Sequence, residues 1–313
     1  MKLSRLISNY IAYRRALGNR FIAEGFILRS CCRHLGDITL EDVTAEGVRD
    51  FLLNGSKSLE TTSRKRRVLV GLYRYAYTRG SGTALPLPAL PATPPSSFVP
   101  YIYTHDDLRR LLDAVPAVCA VRQSLIDDYA MRALLLTLYG AALRLGEAVK
   151  LKDADVDLRD AVLTIRETKF FKTRLVPIGK DLLRVLIDYR NRRNRQHTAD
   201  LDAPFFRLRN GASLNKPVVE RTFRRLRAAA GVQREGGPRR QPRLHDLRHT
   251  AAVHRVQRWY RTGVNLQKQL LRLATYLGHK DLSGTQRYLT LTPQLLRAAS
   301  RRFERYAAED RHE

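Results

Sequence analysis

Apolar positions recur at helical spacing from the start of the chain. In "LISNYIAYRRALG", Leu6, Ile7, Tyr10, Ile11 and Leu17 share one helix face and Gly18 acts as a stop. "TSRKRRVLVGLYRYAYTRG" repeats the period with Leu69, Leu72, Tyr73 and Ala76. Its helix is expected to begin on Arg64, Lys65, Arg66 and Arg67, with Thr61, Thr62 and Ser63 just ahead. Beyond residue 100, "THDDLRRLLDAV" places Thr104 as a cap before acidic first-turn residues. "DDYAMRALLLTLYGAAL" is an almost wholly apolar helix and belongs at the centre of a core. Then the period changes to two. "AVLTIRET" and "TRLVPI" read as the strands of a hairpin with the lysines of "KFFK" at its tip. Helical spacing returns afterwards, broken by the loop "GVQREGGPRRQPR". The expected fold class is mainly α with a small β-hairpin or sheet, an α+β chain.

One segment fits neither period. "GSGTALPLPALPATPPSSFVP" carries six prolines among small residues and favours an extended connector. It divides the chain into a helical unit at residues 1–80, a linker at 81–100 and a larger unit at 101–313. A final helix over 292–310 presents Leu295, Leu296, Ala299, Phe303 and Tyr306 as an apolar stripe.

Charge adds a partner to this outline. The 313 residues carry 57 Lys+Arg against 30 Asp+Glu, a formal +27, with 44% hydrophobic residues available for real cores. Residues 1–95 hold 15 basic and 7 acidic side chains, so +8 falls there and +19 on the remainder. Such an excess points to a polyanion that both units touch. Arg64, Lys65, Arg66 and Arg67, at the expected helix start, are candidate phosphate contacts. Cys31, Cys32 and Cys119 form neither a disulfide framework nor a zinc spacing and suit a reducing compartment. With no signal peptide and no long apolar run, a soluble cytoplasmic protein is expected. "DADVD" opens like a calcium loop, but Leu158 stands where the glycine is required. No motif for a metal or nucleotide cofactor is present, so none is expected.

Four stretches carry candidate chemistry. They are "YGAALRLGEAVKL" with Arg144 and Glu147, "TKFFKTRLVPI" with Lys169 and Lys172, "RLHDLRHT" with His245 and Arg248, and "LGHKDLSGTQRYLT" with His279 and Tyr288. Each alone is weak; their order is not. Together they resemble the tyrosine recombinase family, also called phage integrases, over residues ~104–292. That resemblance implies a two-domain C-shaped clamp, with a helical core-binding domain ahead of a catalytic domain. It implies that Tyr288 attacks a DNA phosphodiester and forms a 3′-phosphotyrosine with a free 5′ hydroxyl, without metal or ATP. Arg144 and Arg248, supported by His279, are the expected charge stabilisers. His245 is the expected acceptor for the phenol proton, and Glu147 the residue that orients an arginine. A hairpin lysine is the expected acid for the leaving oxygen. Lys169 lies in the matching column, and Lys172 remains open beside it.

Some features depart from the family pattern. Phe170 and Phe171 stand between the lysines where glycine is usual, and Ala142 replaces a common glycine before Leu-Arg. The stretch from His249 to His279 is longer than usual, which suggests a local insertion. No arm-binding module is expected before the first helix, so a mobile-element or chromosome-resolving type fits best. Double-stranded DNA with inverted-repeat core sites is the expected partner. A tetramer joined through the C-terminal helix is expected on it, with or without partner recombinases. A non-cutting DNA-binding protein of the same fold and a type IB topoisomerase-like enzyme are the alternatives.

Overall fold

The computed structural model describes residues 1–55, 58–80, 99–166, 173–196, 200–279 and 281–290. The described residues before 81 form one compact unit and those from 99 onward a second. The linker expected at 81–100 lies, up to residue 98, outside the described residues, as do Lys169, Lys172 and the helix expected over 292–310.

The first unit is four helices, α1 (Leu3–Ala16), α2 (Ile22–Leu35), α3 (Ala45–Leu53) and α4 (Leu59–Tyr77). Its core gathers the apolar faces read from the sequence, with Leu6, Ile7, Leu28, Leu52, Leu69 and Leu72 all but sealed from solvent. Leu17 is the exception at 55% exposed, because α1 ends one residue before it. The basic cluster also sits differently from expectation. Ser58 caps α4 by accepting from the Thr61 amide at 3.3 Å, so Arg64 to Arg67 begin at the sixth helical residue and not at the N-terminus. A threonine pair after a serine cap fits the first turn, which displaces the basic run into the second. Lys65 is consumed internally. Its ammonium donates to the carbonyls of Phe51 (2.9 Å) and Asn54 (2.7 Å) at the end of α3 and lies 4.7 Å above the Phe51 ring. Arg64 and Arg67 remain exposed.

The second unit places the apolar helix α7 (Asp128–Gly140) at its centre, as its composition requires. Ala130, Met131, Leu134 and Leu138 are sealed. Around it lie α5 (His105–Asp113), α6 (Val115–Ala120), α8 (Leu145–Ala148), α9 (Lys180–Asn194), α10 (Lys216–Ala229) and α11 (Leu244–Arg261). Thr104 and Asp107 close a reciprocal cap at the start of α5, at 3.0 and 2.9 Å. The hairpin forms with β2 (Val162–Ile165) and β3 (Arg174–Pro177), antiparallel, with Ile165 opposite Arg174. A short β1 (Val156–Asp157), not apparent in the sequence, adds to the outer edge of β2. The long stretch after His249 becomes the second half of α11, a turn through Gly263, and α12 (Leu266–Leu277). The last described helix is α13 (Ser283–Thr290).

Asp153 and Asp155, from the discarded calcium-like run, serve the fold. Asp153 is paired with the buried guanidiniums of Arg193 (2.8 Å) and Arg207 (3.1 Å), and Asp155 with Arg166. Among the described residues no helix is long and apolar enough to cross a membrane, and no three His, Cys, Asp or Glu side chains converge as metal ligands do.

Candidate active site

Three local devices bring the candidate residues together. The first is the turn after α7. Ala142 adopts φ +50°, a left-handed conformation in which glycine is easier, and this reverses the chain into α8. Arg144 precedes α8, and Glu147 caps it by accepting the Arg144 amide at 2.9 Å. The same carboxylate takes the Arg144 guanidinium at 2.8 Å. The second device is the opening of α11, where Asp246 accepts the Arg243 amide at 2.9 Å and fixes the first turn. Spacings of three and four then align His245, Arg248 and His249 on one helix face. The third is the end of α12. Gly278 turns left-handed at φ +65° and delivers His279, and α13 follows with Tyr288.

Arg248 is the hub. It is 2% exposed, donating to the carbonyls of Ala142 (2.6 Å) and Leu277. The Leu277 carbonyl is one of the orphan acceptors at the negative end of α12, so a guanidinium satisfies it well. Burial first, then repulsion from Arg144, push the Arg248 guanidinium down to about 10, which still leaves it charged at neutral pH.

Glu147 binds more than Arg144. Arg174, on β3, donates two parallel hydrogen bonds to it at 3.1 and 3.0 Å and a third, from Nε, to the Tyr276 carbonyl at 3.1 Å. The Arg248 guanidinium lies 3.8 Å from the same carboxylate. Burial would raise the Glu147 carboxyl, but Arg174 and then Arg144 outweigh it and hold it at about 2. Three guanidiniums thus share one carboxylate, which leaves two positive charges over. A glycine is required at 278 for a second reason here: a Cβ would come within 3.0 Å of an Arg174 nitrogen.

Tyr288 is 2% exposed and belongs to a small core with Ala142, Val253, Val256 and Leu277. Two imidazoles flank its ring, His249 at 5.7 Å and His279 at 6.1 Å between centroids. His245 touches His249 edge to face at 4.8 Å, one ring further along. The imidazole whose ring contacts Tyr288 from α11 is thus His249, one turn on from the expected acceptor. Burial, then Arg248 and Arg144, lower His279 to about 4; burial, then Arg248 and Arg243, lower His245. His279 is therefore neutral near pH 7. Its Nδ1 lies 2.7 Å from the buried Thr285 hydroxyl.

The structure therefore gathers Arg144, Glu147, His245, Arg248, His279 and Tyr288 in one place. It adds three residues that the motifs did not name, Arg174, His249 and Thr285. Arg174 had a signal in the strand alternation, which puts it on the same face as buried Val176: its side chain is only 12% exposed while neighbouring Leu175 is 66% exposed. Thr285 had the helical spacing to Tyr288. Arg64 to Arg67 belong to the other unit.

Residues 102–294 match the model of the phage integrase family. A protein of Sinorhizobium fredii described as an integrase/recombinase is 35% identical over 309 residues, covering 96% of each chain. Tyrosine recombinase XerC of Bradyrhizobium diazoefficiens is 28% identical over 309 residues, 94% of this chain and 90% of that one. Among solved structures, the Tn1549 transposon integrase in complex with transposon right end DNA superposes with a TM-score of 0.66 at 18% identity, over 97% of this chain and all of that one.

Proposed function

The chain belongs to the phage integrase family of tyrosine recombinases, and from that premise we propose that it cuts and rejoins DNA at specific sites through a covalent 3′-phosphotyrosine on Tyr288. The observation that carries this reading is the surplus of two positive charges, from Arg144, Arg174 and Arg248 against Glu147, gathered with His279 around one buried phenol.

Attack by the Tyr288 oxygen makes a new O–P bond while the P–O5′ bond breaks. Negative charge grows on the non-bridging oxygens, where Arg144 and Arg248 donate from fixed positions in a poorly hydrated site. Arg144, half-buried at 38%, is the more accessible of the two. His279 adds a neutral donor. The phenol proton passes to the His249–His245 pair, whose rings reach from Tyr288 outward. The 5′ oxygen leaves with a proton from the hairpin, for which Lys169 and Lys172 are the candidates. Strand transfer is the same step reversed by another 5′ hydroxyl, so the ester keeps the bond energy and needs neither ATP nor metal. Because Arg248 and Tyr288 are both sealed, DNA engagement has to shift α13 or its neighbours before a phosphate can enter.

The two units would grip inverted-repeat core sites on duplex DNA, Arg64 and Arg67 contributing phosphate contacts from the first. Assembly into a tetramer would use the helix expected over 292–310. Loss of assembly on DNA after deletion of residues 293–313 tests that part. Incubation with a nicked suicide duplex from the ends of the protein's own element tests the chemistry. A covalent adduct should form and vanish in Tyr288→Phe. Binding without adduct would leave a non-cutting DNA-binding protein, and relaxation of supercoiled DNA without strand exchange a topoisomerase-like enzyme.

A further inference from the structure

His279 is held from the very helix that carries Tyr288. Its Nδ1 meets the Thr285 hydroxyl at 2.7 Å, and Thr285 is completely buried. Thr285 and Tyr288 are three positions apart, so both side chains leave the same face of α13. Gly284 brings the backbone against the same ring edge: a Cβ there would lie 3.4 Å from Nδ1.

We infer that Thr285 is a positioning residue that sets the tautomer of His279, its hydroxyl donating to Nδ1 so that the ring proton sits on Nε2, ready for an anionic oxygen. This inference rests on the function proposed above. A neutral imidazole has a single N–H and can donate from one nitrogen only. Burial among Arg248, Arg144 and Arg174 keeps the ring neutral, with Asp281 the opposing charge nearby. A proton on Nδ1 would turn a lone pair toward a phosphate and repel it. A backbone carbonyl at Nδ1 would force that unfavourable form, because it can only accept. A hydroxyl can donate, and among the partners described here it is the group that permits Nε2–H. One helix thereby fixes both the nucleophile and the proton of its charge stabiliser. Displacement of α13 releases both together.

The test reads the tautomer directly. Long-range proton–nitrogen correlation spectra of the full-length, nitrogen-15-labelled protein at pH 7.5 resolve the ring nitrogens, with His279→Gln providing the assignment. The wild type and Thr285→Ser should show Nε2–H, whereas Thr285→Val should show a mixture or Nδ1–H. On the nicked suicide duplex, Thr285→Val should form adduct about 100-fold more slowly, the loss typical of one transition-state donor. Thr285→Ser should stay within several-fold of wild type, and Thr285→Val should cost nothing further in a His279→Gln background. An Nδ1–H tautomer in the wild type, an unchanged tautomer and rate in Thr285→Val, or losses that multiply in the double variant would each overturn the inference. Failure of the wild type to form adduct sinks the proposed function instead, and the spectra still decide the tautomer.

Discussion

Arg174 and Glu147 form a two-pronged ion pair, 3.1 and 3.0 Å, between a hairpin strand and the cap of α8. It holds the carboxylate that in turn orients Arg144 and approaches Arg248. Truncation of Arg174 would leave a buried carboxylate short of its strongest partner. Arg174→Ala should therefore cost about 3 kcal/mol in urea unfolding, the scale of a broken buried pair. Adduct formation should fall by 10-fold or more. Arg174→Lys should recover little of either, since an ammonium cannot make the parallel pair and also reach the Tyr276 carbonyl.

Ala142 carries a left-handed backbone and lends its carbonyl to Arg248 at 2.6 Å. A β-branched residue is poorly tolerated there. Ala142→Val should destabilise the protein by about 2 kcal/mol or more and depress cleavage together with stability. Ala142→Gly relieves backbone strain of about 1 kcal/mol but gives up a buried methyl worth about 0.8 kcal/mol, so it should be nearly neutral in both measurements.

Acid should weaken the second unit before most carboxylates begin to protonate. His279 and His254 are both lowered to about 4, His279 by burial and then Arg248, His254 by burial and then His105. A histidine whose folded pKa lies below its unfolded value of 6.5 stabilises the fold fully above 6.5. That contribution is lost as pH falls toward 4, because the unfolded chain binds the proton first. Glu147, held at about 2, adds a second loss only below about 4.5. Denaturant melts should thus show stability falling between pH 6.5 and 4 by a few kcal/mol. His279→Gln and His254→Gln should each remove on the order of 1–3 kcal/mol of that fall. An unchanged pH slope in the double variant would refute this origin.

Lys65 and its neighbours should separate on salt titration. Lys65 caps α3, so Lys65→Met should lower thermal stability and leave the salt dependence of DNA binding unchanged. Arg64 and Arg67 are exposed, and alanine at either should reduce the slope of log affinity against log salt by about one. The readout is binding of the full-length chain to the same duplex ends over a range of salt.

Much of the layout is legible in the pattern. The faces of α1 and α4, the Thr104 cap, the apolar α7 and the two hairpin strands follow from periods that depend only on neighbouring residues. What misled was local competition. Ser58 outbids the threonines as a cap and pulls the start of α4 back past Arg64, and the helix end at Ala16 leaves Leu17 outside. The two-residue β1 has no period to detect, and its place depends on β2 alone.

The order of residue types along the chain determined the family and pointed to the core of the candidate site, because the proposed chemistry calls for Arg144, Arg248, His279 and Tyr288 whatever holds them. Only the tertiary structure decided their supports: that Arg174 reaches Glu147 across 27 positions of sequence, that His249 and not His245 lies against the phenol, and that Thr285 meets His279. The energies of those contacts are set by burial and by which charges converge in one low-dielectric pocket, and the order of residue types alone does not encode them.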